Sequence, residues 1–150
     1  MVEFAIVLPV LLMFILGILY FGRFEDYANQ GTQLAEIGAR LASVNYNPAG
    51  STTLDQYILS QAQPELQYGS NDVTAAKVYV YYPTNSTNTV GSTIRACVVF
   101  KMTFPTPMGT PSTTVAQTAT MRIEQLQTPA TVGWTPDSST TANTAGCSIS

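Results

Sequence analysis

From Phe4 to Gly22 the chain reads FAIVLPVLLMFILGILYFG, nineteen positions without a charge. About 20 apolar residues cross a bilayer as an α-helix, so the run is predicted to be a membrane-competent helix. Its apolar character covers every face, whereas a soluble surface helix confines it to one stripe. A buried core helix is the competing reading, but a chain of 150 residues has little domain to wrap around such a segment. Pro9 removes one backbone donor and is expected to kink or loosen the helix locally, which membrane helices tolerate. Glu3 precedes the run and Arg23 follows it. A secretory signal starts basic and closes on a small-x-small site. This run starts acidic and ends in Gly22-Arg23-Phe24, so it is expected to stay in the mature protein.

Beyond Arg23 the pattern changes while the helix continues. Phe24, Ala28, Gly31, Ala35, Gly38 and Ala42 recur at steps of three and four, a helical period. Glu25, Asp26, Glu36 and Arg40 fall largely off that stripe. Small residues at a four-residue step let another backbone approach closely. The stripe is either a packing seam, for other helices or for the chain's own sheet, or an ordinary alanine-rich amphipathic face. Asn47-Pro48-Ala49-Gly50 is predicted to end the helix. A helix over about residues 1–45, with roughly 40 residues in regular turns, would be about 60 Å long.

Thr52 and Thr53 are candidate caps for a short helix from Leu54 to Pro64. Three strands follow: 73–82, rich in Val and Tyr; 93–104, TIRACVVFKMTF; and 113–127. In the last, Val115, Gln117, Ala119, Met121, Ile123 and Gln125 share one face. The connections PTNSTNTVGS and the Pro105, Pro107, Gly109, Pro111 segment have turn composition. The fold class expected is α+β: a long N-terminal helix, then a small antiparallel three-stranded sheet. The expected divisions are a helix over 1–46, an α+β head over 47–127, and a Thr/Ser-rich tail over 128–150, which Trp134 could pack on the sheet.

Composition narrows the function. Charged residues are 10% of the chain, and the net charge is −3 without a basic run, so phosphate-backbone binding has no footprint. The chain lacks histidine, the commonest general base and metal ligand. The Ser and Thr hydroxyls therefore lack their usual activator, and neither Lys77 nor Lys101 stands in an S-x-x-K motif. No enzyme activity, cofactor or metal is expected. Cys97 and Cys147 are the two thiols. In an exported protein a pair suggests one disulfide, which would fasten the tail to the middle strand; two unrelated thiols are the alternative. Asn85-Ser86-Thr87 matches the N-glycosylation pattern and falls in a predicted turn. Tyr79, Tyr81 and Tyr82 could form an adhesive surface or simply pack across strands.

The segments VEFAIVLPVLL, LGILYFGR and AEIGARLA resemble the N-terminal motif of TadE-like proteins, in the type IV pilin and pseudopilin superfamily of tight-adherence pili. The resemblance covers about residues 1–44. It implies a precursor anchored in the inner membrane, trimmed by a prepilin peptidase and drawn by pilus assembly machinery into an extracellular helical filament of copies of itself. It implies Glu3 as the acid that neutralises a neighbour's amino terminus. Phe4, Pro9, Gly17, Gly22, Arg23, Gly31 and Gly38 are the other expected assembly positions. In pilins the acid usually stands fifth in the mature chain, and here it stands third, which leaves the processing site open. Physical chemistry supports the pairing: a carboxylate beside an apolar helix is costly alone, and an α-amino group is a cation near neutral pH. Simple solvation of Glu3 among lipid headgroups is the alternative. The main expectation is a structural pilin; the alternative is a minor pseudopilin or membrane-anchored assembly factor that does not form the bulk of a filament.

Overall fold

The computed structural model describes residues 2–46, 48, 53–83, 89–104, 109–125, 136–137, 141–142 and 145–147. The elements are α1 (Val2–Ser43), α2 (Leu54–Ser60), α3 (Pro64–Tyr68), β1 (Lys77–Tyr81), β2 (Thr93–Thr103) and β3 (Ser112–Arg122). The strands form one antiparallel sheet in the order β1-β2-β3. The fold is α+β, a long helix followed by a three-stranded meander, as the periodicities predict.

α1 runs through Pro9 as one helix. It stops earlier than the Asn47–Gly50 punctuation predicts. Asn45 adopts a left-handed conformation with φ of 52°, a state that Asn tolerates better than most residues. Its N–H donates to Ala42 O at 3.1 Å, and the Tyr46 N–H donates to Leu41 O at 2.9 Å. Two orphan carbonyls are thereby satisfied, and the chain turns away.

The next region corrects the sequence reading. α2 starts where expected, with Thr53 as its N-cap residue and the Thr53 N–H donating to Gln56 Oε1 at 3.4 Å. It ends at Ser60, and Pro64 opens a further helix, α3, rather than closing the first. Proline suits a first helical position, where its missing donor would have no intrahelical partner. The first strand is also shorter than 73–82. Val73 makes only an isolated bridge to Met102. The Ala76 N–H then donates to Leu66 O at 2.8 Å, holding this stretch against α3 until the ladder begins at Lys77. Gly69, with φ of 82°, allows the tight exit from α3: a Cβ there would lie 2.9 Å from the Ala75 nitrogen. β3 ends at Arg122 rather than 127 because the Ile123 N–H turns to Ser92 O and the Glu124 N–H to Ser43 O.

The sheet has two different faces. Val78 and Val80 of β1, Ile94, Ala96, Val98, Phe100 and Met102 of β2, and Val115 of β3 join one core with α1 and α2. The register sets Val115 opposite Phe100, Ala119 opposite Ala96 and Met121 opposite Ile94, so the face predicted for β3 points into this core. A fully buried Val, Leu or Ile stabilises such a core by about 1.5–3 kcal/mol relative to exposure. On the reverse face Tyr81 and Cys97 are covered by Ala142 and Cys147, with Tyr79, Val99 and Ala116 beside them.

Candidate membrane and assembly interface

The long helix divides near Arg23 into two halves with different surroundings. In the first half the described side chains are exposed, apart from the half-buried Tyr20. Ile6, Val7, Leu8, Val10, Leu11, Leu12, Met13, Phe14, Ile15 and Leu16 are exposed, as are Ile18, Leu19 and Phe21. Consecutive residues point around the whole helix circumference, so no face rests on the head. Length and apolar composition are those of a membrane-crossing helix, and its apolar window has no share buried within the protein. Gly17 makes a notch on this surface, bordered by Val10, Met13, Phe14, Ile18 and Phe21. A Cβ at Gly17 or Gly22 would meet nothing within 4 Å. Phe4 is 76% exposed; the Glu3 side chain lies outside the described residues.

The second half is bound into the head. Tyr27, Leu34, Ala35, Ala39 and Ala42 are buried, as are Gly31 and Gly38. A Cβ at Gly31 would stand 2.9 Å from Phe100 Cε1, and one at Gly38 would stand 3.1 Å from Ile58 Cδ1 and 3.2 Å from Ala96 Cβ. Of the readings open for the small-residue stripe, the structure takes the seam against the chain's own sheet. Gly31 and Gly38, expected among the assembly positions, pack inside the subunit against Phe100, Gln117, Ile58 and Ala96. The buried face is also broader than the stripe, since Tyr27, Leu34 and Ala39 join it.

A collar of polar and aromatic contacts marks the junction. Arg23 Nη1 meets Asp72 Oδ2 at 3.1 Å. One turn further on, the Tyr27 hydroxyl donates to Glu65 Oε2 at 2.6 Å. Burial, aided by this hydrogen bond and the Glu65 charge, pushes the Tyr27 phenol up to about 12. The Phe24 and Phe104 rings lie 6.3 Å apart, tilted. Periodicity could not reveal this collar, because Glu65, Asp72 and Phe104 are distant in sequence from the helix they touch.

On the reverse face Cys97 and Cys147 are joined, with Cα atoms 6.1 Å apart across 50 residues of chain. A second fastening lies on β1. Asp137 Oδ2 accepts the Val80 N–H at 2.9 Å, and the Asp137 N–H donates to Val80 O at 2.8 Å. These bonds occupy backbone groups of an edge strand that would otherwise offer pairing to another chain. Burial holds the Asp137 carboxyl above the ordinary carboxylate range, the Val80 N–H pulling the other way and the Asp55 charge adding to the rise. Nothing in the tail's composition pointed to Asp137. Asn85 and Trp134 lie outside the described residues. Among the described residues no three His, Cys, Asp or Glu side chains converge in a way that could hold a metal ion.

No curated protein and no solved structure matches the chain. A family match does exist, and it falls on the helix rather than the head: residues 1–40, the segment that carries the exposed apolar surface, match the family described as TadE-like protein.

Proposed function

We propose that the chain is a structural subunit of a tight-adherence pilus filament. The apolar half of α1 would hold it first in the inner membrane and then against the same helix of other copies. One observation carries this reading: a helix apolar on all sides stands free of the head along most of its first half, while the second half packs one face into the head. Soluble monomers rarely leave so large an apolar surface in water. A bilayer can cover it, and so can a bundle of like helices, where packing and close approach hold apolar helices together. The TadE-like match over residues 1–40 supports the association with pilus machinery. The head closes its own core, so it need not refold when the helix changes surroundings.

In this reading the chain works without catalysis. A prepilin peptidase acts on its precursor, and the assembled form lies outside the cell, with a membrane-held pool behind it. Glu3 pairs with a neighbouring subunit's amino terminus and sets the axial register of addition. Glu3→Gln is the direct test: the variant should remain in the membrane fraction while surface filaments are lost. Normal filaments built from it would sink the role of Glu3. Gel analysis of sheared surface filaments decides between bulk subunit and minor pseudopilin. A dominant band of this 16.1 kDa chain supports the first, and a trace band beside another major protein supports the second.

A further inference from the structure

Tyr68 is the most exposed large hydrophobic side chain of the head's described residues, at 76%. It stands at the end of α3, three residues after Glu65. Residues three apart share a helix face, and Glu65 is held by Tyr27 of α1. Asp72, four residues beyond Tyr68, is held by Arg23. Tyr68 thus sits between the two residues that fasten the head to the point where α1 leaves its apolar run. Phe21 and Phe24 lie on the same stretch of α1, with Phe104 against Phe24.

Depth follows from helix geometry. If Phe4–Gly22 spans the hydrocarbon, its 19 residues extend about 28 Å at 1.5 Å per residue, close to the thickness of about 30 Å that must be crossed. Arg23 then lies at the hydrocarbon edge. Tyr27, four residues on, lies about 6 Å farther out, within an interfacial layer of roughly 5–7 Å. The Glu65–Asp72 segment is tied to both and occupies the same layer. Tyrosine favours this zone, where its ring is sheltered and its hydroxyl stays wet. Neither carboxylate that fastens the segment enters unpaired, since Glu65 accepts from Tyr27 and Asp72 faces Arg23.

We propose that before assembly the base of the head rests in the bilayer's headgroup layer, with Tyr68 inserted as its anchor, so that the head is held against the membrane rather than swinging from the helix. The proposal rests on the membrane-anchored reading of α1. The opposite end of the head supplies a control. Val90 is 60% exposed and adjoins Gly91, whose N–H donates to Ile123 O, beside the Glu124–Ser43 bond at the far end of α1. From Arg23 to Ser43 the helix rises about 30 Å, which places Val90 well clear of a bilayer.

The full chain carrying Trp134→Phe, with Leu12→Trp, Tyr68→Trp or Val90→Trp added in turn, is reconstituted in phosphatidylcholine vesicles. The lipids are brominated either near the glycerol or near the chain ends. We expect Leu12→Trp to lose most emission to bromine at the chain ends. Tyr68→Trp should shift to shorter wavelength and lose most emission to bromine near the glycerol. Val90→Trp should respond to neither bromine position and remain open to aqueous iodide. If Tyr68→Trp behaves like Val90→Trp while Leu12→Trp is quenched, the head does not rest on the membrane and the proposal fails, with the anchor intact. An unquenched Leu12→Trp overturns the anchor itself, and the proposal with it. Shielding of Tyr68→Trp that vanishes when protein is diluted at constant lipid would assign the contact to a second copy and likewise overturn it.

Discussion

The two halves of α1 belong to one continuous helix, yet they are stabilised in different ways. From Arg23 to Ser43, small residues bring the backbone close to the sheet, and most of the inward face is buried. From Phe4 to Gly22 every face is apolar and, Tyr20 apart, the described side chains are exposed. Helix–sheet packing is local and subunit-internal; covering the first half requires lipid or other chains. A given substitution should therefore have opposite consequences in the two halves, disturbing the head in one and membrane residence or assembly in the other.

Leucine gives the sharpest contrast. Leu34 is 3% exposed and Leu12 is 53% exposed. Leu34→Ala should lower the head's unfolding free energy by about 2–5 kcal/mol, read from denaturant melts in mild detergent. Leu12→Ala should leave that value within about 0.5 kcal/mol. Equal losses at both sites would mean that the helix halves are not energetically separate.

The disulfide comes next. Cys97→Ser with Cys147→Ser opens a long loop and should cost the head about 2–4 kcal/mol. Membrane extraction of the apolar half should be unchanged, which fractionation checks. The glycines follow. Gly38→Leu drives a side chain into Ile58 and Ala96 and should destabilise the head by about 1–3 kcal/mol, the usual cost of overpacking. Gly17→Leu meets open space and should leave head unfolding unaffected, while filling the notch should reduce filament yield. Undiminished filaments from Gly17→Leu would remove the notch from the assembly surface.

The smallest effect concerns the collar. Tyr27→Phe removes the hydrogen bond to Glu65 and should cost about 1 kcal/mol near neutral pH. Its pH dependence has a definite sign. The folded phenol is raised from the ordinary 10.0 to about 12, so the folded state keeps a proton that the unfolded state releases. The stabilisation is complete below about pH 10 and is lost as pH rises toward 12. The difference between wild type and Tyr27→Phe in melts taken across that window should therefore shrink as pH rises. A constant difference would place the perturbation elsewhere.

The extent to which these features are legible in the sequence follows from the range of the interaction behind each. The apolar run, the period of the second half of α1 and the shared face of β3 depend on neighbours within a few residues, and each maps onto its element. The ends of elements depended on partners far along the chain. β3 stopped at Arg122 because Ser43 and Ser92 claim the next amides, and β1 started late because Leu66 claims Ala76. Pro64 read as a stop, although the same missing donor makes it a good start. The collar of Glu65, Asp72 and Phe104, and the Asp137 clasp on Val80, carry no local pattern at all.

By itself the sequence pointed the first nineteen-residue run toward an apolar solvent, since a chain of this length has little domain to wrap all its faces. It determined equally that three strands would follow a long helix, because periodicity is written in adjacent residues. Only the tertiary structure decided what the small-residue stripe was for. Gly31 and Gly38 permit close approach to any surface, another helix or a sheet, and small side chains do not name their partner. The fold brought Phe100, Ala96 and Ile58 to them, making the second half of α1 part of the head and leaving the first half as the surface that meets the outside.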